Sequence, residues 1–173
     1  LWRRRRLNGF LGGALRLVSQ VFIVMFALLL TACPGDATPP RDLILSPDDF
    51  PRAGVTETSR ETGETNQFEP AVQVELTSLD FTVLESLVLF DSVDLALALL
   101  SEIKQDQISQ GVDAHPVDGF EANSGVLADR LHGEDASTLF FVEGRALVRI
   151  TLSGVDHADR VWDVARLARE KSG

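Results

Sequence analysis

Few side chains in this sequence have the chemistry for covalent or acid–base work. Among 173 residues there is one thiol, Cys33, and there are three imidazoles, His115, His132 and His157. A lone thiol cannot form a disulfide within the chain, so Cys33 is either an ordinary buried residue or a thiol singled out for modification. No two histidines share metal-ligand spacing, and the nearest cluster, His132-Gly133-Glu134-Asp135, reads as a polar turn between strands. Asp113 and Asp118 offer oxygens for calcium around His115, but EF-hand spacing is missing. Asp48-Asp49 are paired carboxylates in a turn, where adjacent acids are ordinarily solvated. Glu85 interrupts an apolar strand. A buried acid there would carry a raised pKa and mark a site; the expectation is that it faces solvent near the strand's entrance. There is no G-x-S-x-G and no phosphate loop. Trp162 is expected in the core. The reading therefore assigns no catalytic residue, no metal and no cofactor.

The sequence before Cys33 explains the thiol better than any of these. Trp2 to Arg16 is positive, with Arg3–Arg6 as its densest part, and Val21 to Leu30 is purely apolar. Ten residues at about 1.5 Å rise span about 15 Å, half of a ~30 Å hydrocarbon core. That is the length of a signal-peptide apolar region and too short for a span. The sequence opens on Leu1 and its one methionine, Met25, lies inside the apolar run, so the start is read as a non-standard start codon or a fragment edge.

Leu30-Thr31-Ala32-Cys33 resembles the lipobox of bacterial lipoproteins, an aliphatic residue and two small ones before the lipidated cysteine. The resemblance implies a diacylglyceryl thioether on Cys33 and cleavage between Ala32 and Cys33. Two or more acyl chains at about 0.8 kcal/mol per buried CH₂ hold a protein firmly at a bilayer.

All 26 acidic residues follow Cys33, with 11 basic ones, a side-chain charge of −15. Such a chain is a poor ligand for nucleic acid, whose phosphates need Lys and Arg, and it is repelled by anionic membrane surfaces. Its expected partner is the membrane, through lipid on Cys33 alone, with no nucleic acid.

The elements that would carry a site follow. Residues 1–32 are the leader, and residues 33–41 are the lipidated cysteine and a flexible Pro/Gly tether. Residues 42–173 form one domain. Asp42–Leu45 suggests a short strand, and a mobile loop is expected around 54–70. Val72–Thr77 alternates as a strand with one wet face, and Phe81–Phe90 is a second strand. Asp91 caps a helix to about residue 110, with Val93, Ala96, Leu97, Leu100 and Ile103 on its buried face; Leu95 points away and needs a partner, for which the Leu43–Leu45 segment is the candidate. Val126–Leu131, Thr138–Val142 and Ala146–Leu152 are strands, the last two joined by a tight turn at Glu143-Gly144-Arg145. Asp156 starts the last helix, at 156–171, whose stripe is Ala158, Val161, Trp162, Ala165 and Ala168.

This order predicts an α+β fold: an antiparallel sheet of about five to six strands packed by two helices, preceded by a signal-peptide helix. The element order of the globular part is similar to the PsbP and LpqN group of extracytoplasmic domains, which share no diagnostic motif with it and lend it no functional residue. The expected function is a non-enzymatic binding lipoprotein on the outer face of a bacterial membrane, with an open apolar patch at Leu95, Leu99 or Leu167. An accessory or assembly factor of a membrane complex is the second reading. A hydrolase is the third, and it requires Glu85, His115 or His132 to converge.

Overall fold

The computed structural model describes residues 38–65, 69–112, 120 and 122–173. Leu30, Thr31, Ala32 and Cys33 lie outside these residues, as do Asp113, His115 and Asp118. Six strands, β1 (Thr56–Glu64), β2 (Pro70–Thr77), β3 (Phe81–Leu89), β4 (Asn123–Leu131), β5 (Glu134–Glu143) and β6 (Ala146–Gly154), form one sheet in the order β1-β2-β3-β6-β5-β4. Every pairing is antiparallel. Helix α1 (Val93–Ser109) packs on one face and helix α2 (His157–Ser172) on the other. The chain thus has the expected α+β class.

Period-two alternation sends neighbouring residues to two different cores. Val83 and Leu87 of β3, Leu139 and Phe141 of β5, and Val148, Ile150 and Leu152 of β6 bury against α2. Val88, Phe140 and Leu147 bury against α1. Central strands covered on both faces must be apolar on both, which is why Leu87-Val88-Leu89 and Leu139-Phe140-Phe141 are unbroken runs.

Helix α2 meets the sheet through Val161, Val164, Ala165 and Ala168. Two alanines on this seam let the helix sit close to the strands. Ala158 is exposed instead of buried, because it lies one turn before the seam closes. Asp156 does precede the helix, in a left-handed conformation with φ of 54° and no side-chain cap. Helix α1 is capped by Ser92, whose hydroxyl accepts from the Leu95 N–H, and not by Asp91. Its buried line is Ala96, Leu100 and Gln107, with Leu99 and Ile103 half-buried. Val93 and Leu97 fall off that line and are exposed.

Two stretches differ from expectation. The loop expected around 54–70 is largely strand: β1 pairs along its length with β2. It is an edge strand with hardly a buried side chain, so it has no apolar period, and its backbone ladder, helped by Thr58 and Arg60 side-chain bonds, holds it. Asp42–Leu45 is not a strand. It belongs to a strap, residues 40–50, built on two 3₁₀ turns, Pro40–Asp42 and Pro47–Asp49. Pro39, Pro40 and Pro47 remove ladder donors on both sides of the apolar run. The strap buries Ile44 and Leu45 in the α2-side core, so it cannot partner Leu95, which lies on α1 and is exposed.

Gly154 closes β6 at φ 111°. A Cβ there would collide with the Asp80 carbonyl oxygen. The β6–α2 turn is held against the β2–β3 turn by Val155 N–H donating to that same oxygen, at 3.2 Å.

Candidate functional site

Three places gather polar or open features. The first lies under the strap. Glu85 pairs across the ladder with Val74 of β2 and Ile150 of β6, and it is 0 % exposed. This corrects the expectation of a solvent-facing acid. On β3 it shares the phase of Val83 and Leu87, and the strap closes over that phase. The Leu45 N–H donates to Glu85 Oε2 at 2.7 Å. Oε1 is buried without a partner among the described residues. Burial pushes the carboxyl up to about 8, reinforced by the Asp49 charge and opposed by the Leu45 N–H, Lys171 and Arg60. The Leu45 carbonyl accepts from Arg60 Nη2 at 3.3 Å, so side chains satisfy both polar groups of one residue.

Around it, Lys171 Nζ donates to Asp49 Oδ2 at 2.6 Å and to Ser46 Oγ at 3.2 Å. Burial pushes the Asp49 carboxyl up, but Lys171 and the Ser46 donors outweigh it and the net shift is down. Asp48 stays exposed, so the two adjacent acids do not act as a pair.

The second place is the α1 side of the sheet beyond the helix. Thr138 Oγ1 donates to Asp129 Oδ2 at 2.7 Å and lies 2.8 Å from Thr151 Oγ1. Arg149 Nη2 reaches the same Asp129 oxygen at 3.0 Å. Glu75, on this face of β2, holds His132 Nε2 at 2.7 Å. His157 lies elsewhere, bonded through Nδ1 to Ser137 Oγ at 2.9 Å. Glu85 and His132 therefore sit on opposite faces of the sheet and do not converge. Among the described residues, no three His, Cys, Asp or Glu side chains gather as a metal site.

The third place is an open groove of about 470 Å³ at the start of α1. Val93 and Leu97 of α1 line it together with Phe120, Ala122 and Val142. Glu143 and Arg169 close its end, paired at 2.9 Å. Phe120 is fixed edge-on to Phe141 and to Trp162, with centroids 5.1 and 5.8 Å apart, and the Arg169 guanidinium lies 5.2 Å above its ring. Trp162 is thus half-buried behind the groove wall. The volume is within the ~300–1,000 Å³ typical of small-ligand sites. Of the apolar patch residues expected, Leu95 is exposed, whereas Leu99 and Leu167 pack half-buried against the two cores.

Sequence reasoning missed Arg60, Lys171 and the groove. The first two carry no local signal: Arg60 sits in a polar edge strand and Lys171 in a helix end where cations are ordinary. Glu85 did carry one, its shared phase with Val83 and Leu87.

No protein-family model matches this chain, and no curated protein matches it. Among solved structures, the chain is similar to the extracellular domain of PknH from Mycobacterium tuberculosis, with a TM-score of 0.55 and 9 % identity, over 79 % of this chain and 96 % of that one. The likeness is one of fold. Among the described residues, no helix is long and apolar enough to cross a membrane.

Proposed function

We propose that this chain is an extracytoplasmic binding lipoprotein, held at the outer face of a bacterial membrane by lipid on Cys33 and taking no part in covalent catalysis. The groove at the start of α1 carries the binding half of this reading: the exposed apolar side chains of Val93 and Leu97 line it together with Phe120, which Phe141 and Trp162 hold in place. An amphiphile would place its apolar body against these side chains and a polar group at Glu143 and Arg169. The tetrad Leu30-Thr31-Ala32-Cys33 supports the anchor, and the fold shared with an extracellular domain is in keeping with export.

Two measurements test the halves separately. Cys33→Ser should abolish acyl labelling and leave an unprocessed precursor; labelling that persists defeats the anchor. Leu97→Glu, at an exposed position, should abolish the fluorescence gain of anilinonaphthalene sulfonate on the folded chain. An unchanged gain defeats the groove as a binding site.

The second reading is an accessory or assembly factor of a membrane complex. The exposure of Leu95 and Ile108 on α1 favours it. Purification in mild detergent separates the two, because a stoichiometric integral-membrane partner lost in Leu95→Glu supports the second reading.

A further inference from the structure

The strap is attached to the domain in an unusual way. Its main-chain hydrogen bonds are largely internal: Asp42 and Leu43 donate to Pro39 and Pro40, and Asp49 and Phe50 donate to Ser46 and Pro47. No ladder among the described pairings includes it. Its backbone is tied to the sheet by side chains, through Leu45 N–H to Glu85 at 2.7 Å and through Arg60 to the carbonyls of Leu45 and Arg41 at 3.3 and 3.4 Å. The shortest of these ties ends on a fully buried carboxyl whose other oxygen has no partner among the described residues.

We propose that Glu85 is a proton-operated latch: its neutral carboxyl accepts the Leu45 N–H and keeps residues 40–50 closed on the sheet, and loss of its proton releases them. A carboxylate left in that apolar setting with one donor is costly. Lifting the strap lets water reach it. The charged groups facing Glu85 are Asp49 of the strap, Arg60 of β1 and Lys171 of α2. Asp49 opposes its ionisation, and the two cations favour it. The neighbours on β2 and β6, Val74 and Ile150, carry no charge. Burial keeps the carboxyl neutral to about pH 8 when the strap is closed, whereas a hydrated glutamate ionises near pH 4–5. Opening is therefore linked to proton release across that interval, and the strap opens on the alkaline side. An open strap adds up to about 35 Å of chain between whatever precedes it and the sheet. The latch stands whether or not Cys33 carries lipid.

Amide hydrogen exchange on the full chain tests it, with rates corrected for their intrinsic pH dependence. Protection of residues 43–50 should fall by up to roughly tenfold per pH unit from pH 5 to 8 and then level off, while β6 amides hold. In Glu85→Gln the strap's protection should be flat with pH. The unmodified chain gives a second readout, because the Glu85 carboxyl ¹³C shift should titrate far above the ordinary carboxylate range. Strap protection that is constant in the wild type, the same slope in Glu85→Gln, or ordinary titration of Glu85 would each overturn the latch.

Discussion

The two faces of the sheet solve the same burial problem with different materials. Along β2, β3 and β6 the α2 face is apolar apart from one acid. It is closed by a helix with an alanine seam and by a strap that inserts Ile44 and Leu45. The α1 face is apolar only where the helix crosses it, and beyond that it carries Thr138, Thr151, Arg149 and Asp129 bonded to one another. On the first face the Glu85 carboxyl is a liability, because no group among the described residues completes its hydrogen bonds. On the second, Asp129, Thr138 and Thr151 are bonded to one another or to Arg149 Nη2, which offsets much of their cost of burial, while Arg149 Nε and the Gln107 amide are buried without a partner among the described residues.

Titration should separate the two faces most strongly. Glu85 binds its proton more tightly folded than unfolded, so the folded state holds more protons between about pH 4.5 and pH 8. Its contribution to stability is full below that window and is lost as pH rises through it. The stability of Glu85→Gln minus that of wild type should rise across the window, by about 5 kcal/mol at most, in urea unfolding at a series of pH values. A flat difference would mean that Glu85 is as well accommodated as the threonines opposite. Asp49 runs the other way, its lowered pKa giving stability that is lost on acidification, and the difference curve cancels it.

Phe141 is fully buried on the α2 face. Phe141→Ala should cost about 3–5 kcal/mol in the same assay. Gly154→Ala tests the turn that joins the two faces, and a positive φ with a backbone collision should cost about 1–3 kcal/mol. On the polar face, Thr151→Val removes one member of a bonded pair and should cost about 1 kcal/mol. Equal losses for Phe141→Ala and Thr151→Val would erase the distinction between the faces.

What was legible in the sequence follows the same division. The central strands and both helices announce themselves because burial imposes a period, as at Val72-Gln73-Val74-Glu75-Leu76 and along Val161, Ala165 and Ala168. β1 imposes none. Its Thr-Glu-Thr-Ser-Arg run is held by backbone pairing, and the charges that disguise it also protect an open sheet edge from further strands. Leu43-Ile44-Leu45 misled in the opposite sense, since a short apolar run fits a strand or a buried strap equally and only the flanking prolines separate them. Of the candidate residues, His132 and Asp48 were recognisable as surface chemistry, whereas Asp49, expected to be solvated, is half-buried against Lys171 and Ser46. Glu85 needed the strand's phase weighed above its own charge. The groove joins residues from α1, the β5–β6 turn and α2, and no local pattern reports such a meeting.

Lys171 is bonded to Ser46 and Asp49 across 125 and 122 residues of sequence. The first described segment of the domain is thus clasped by its last turn. A chain that emerges from its N-terminus can assemble hairpins as it appears, but the Lys171 clasp on the strap cannot form until α2 is out. Closing so long a loop carries a larger entropic cost than closing any hairpin of the sheet. Truncating α2 would therefore leave the strap without this clasp even with every strand in place.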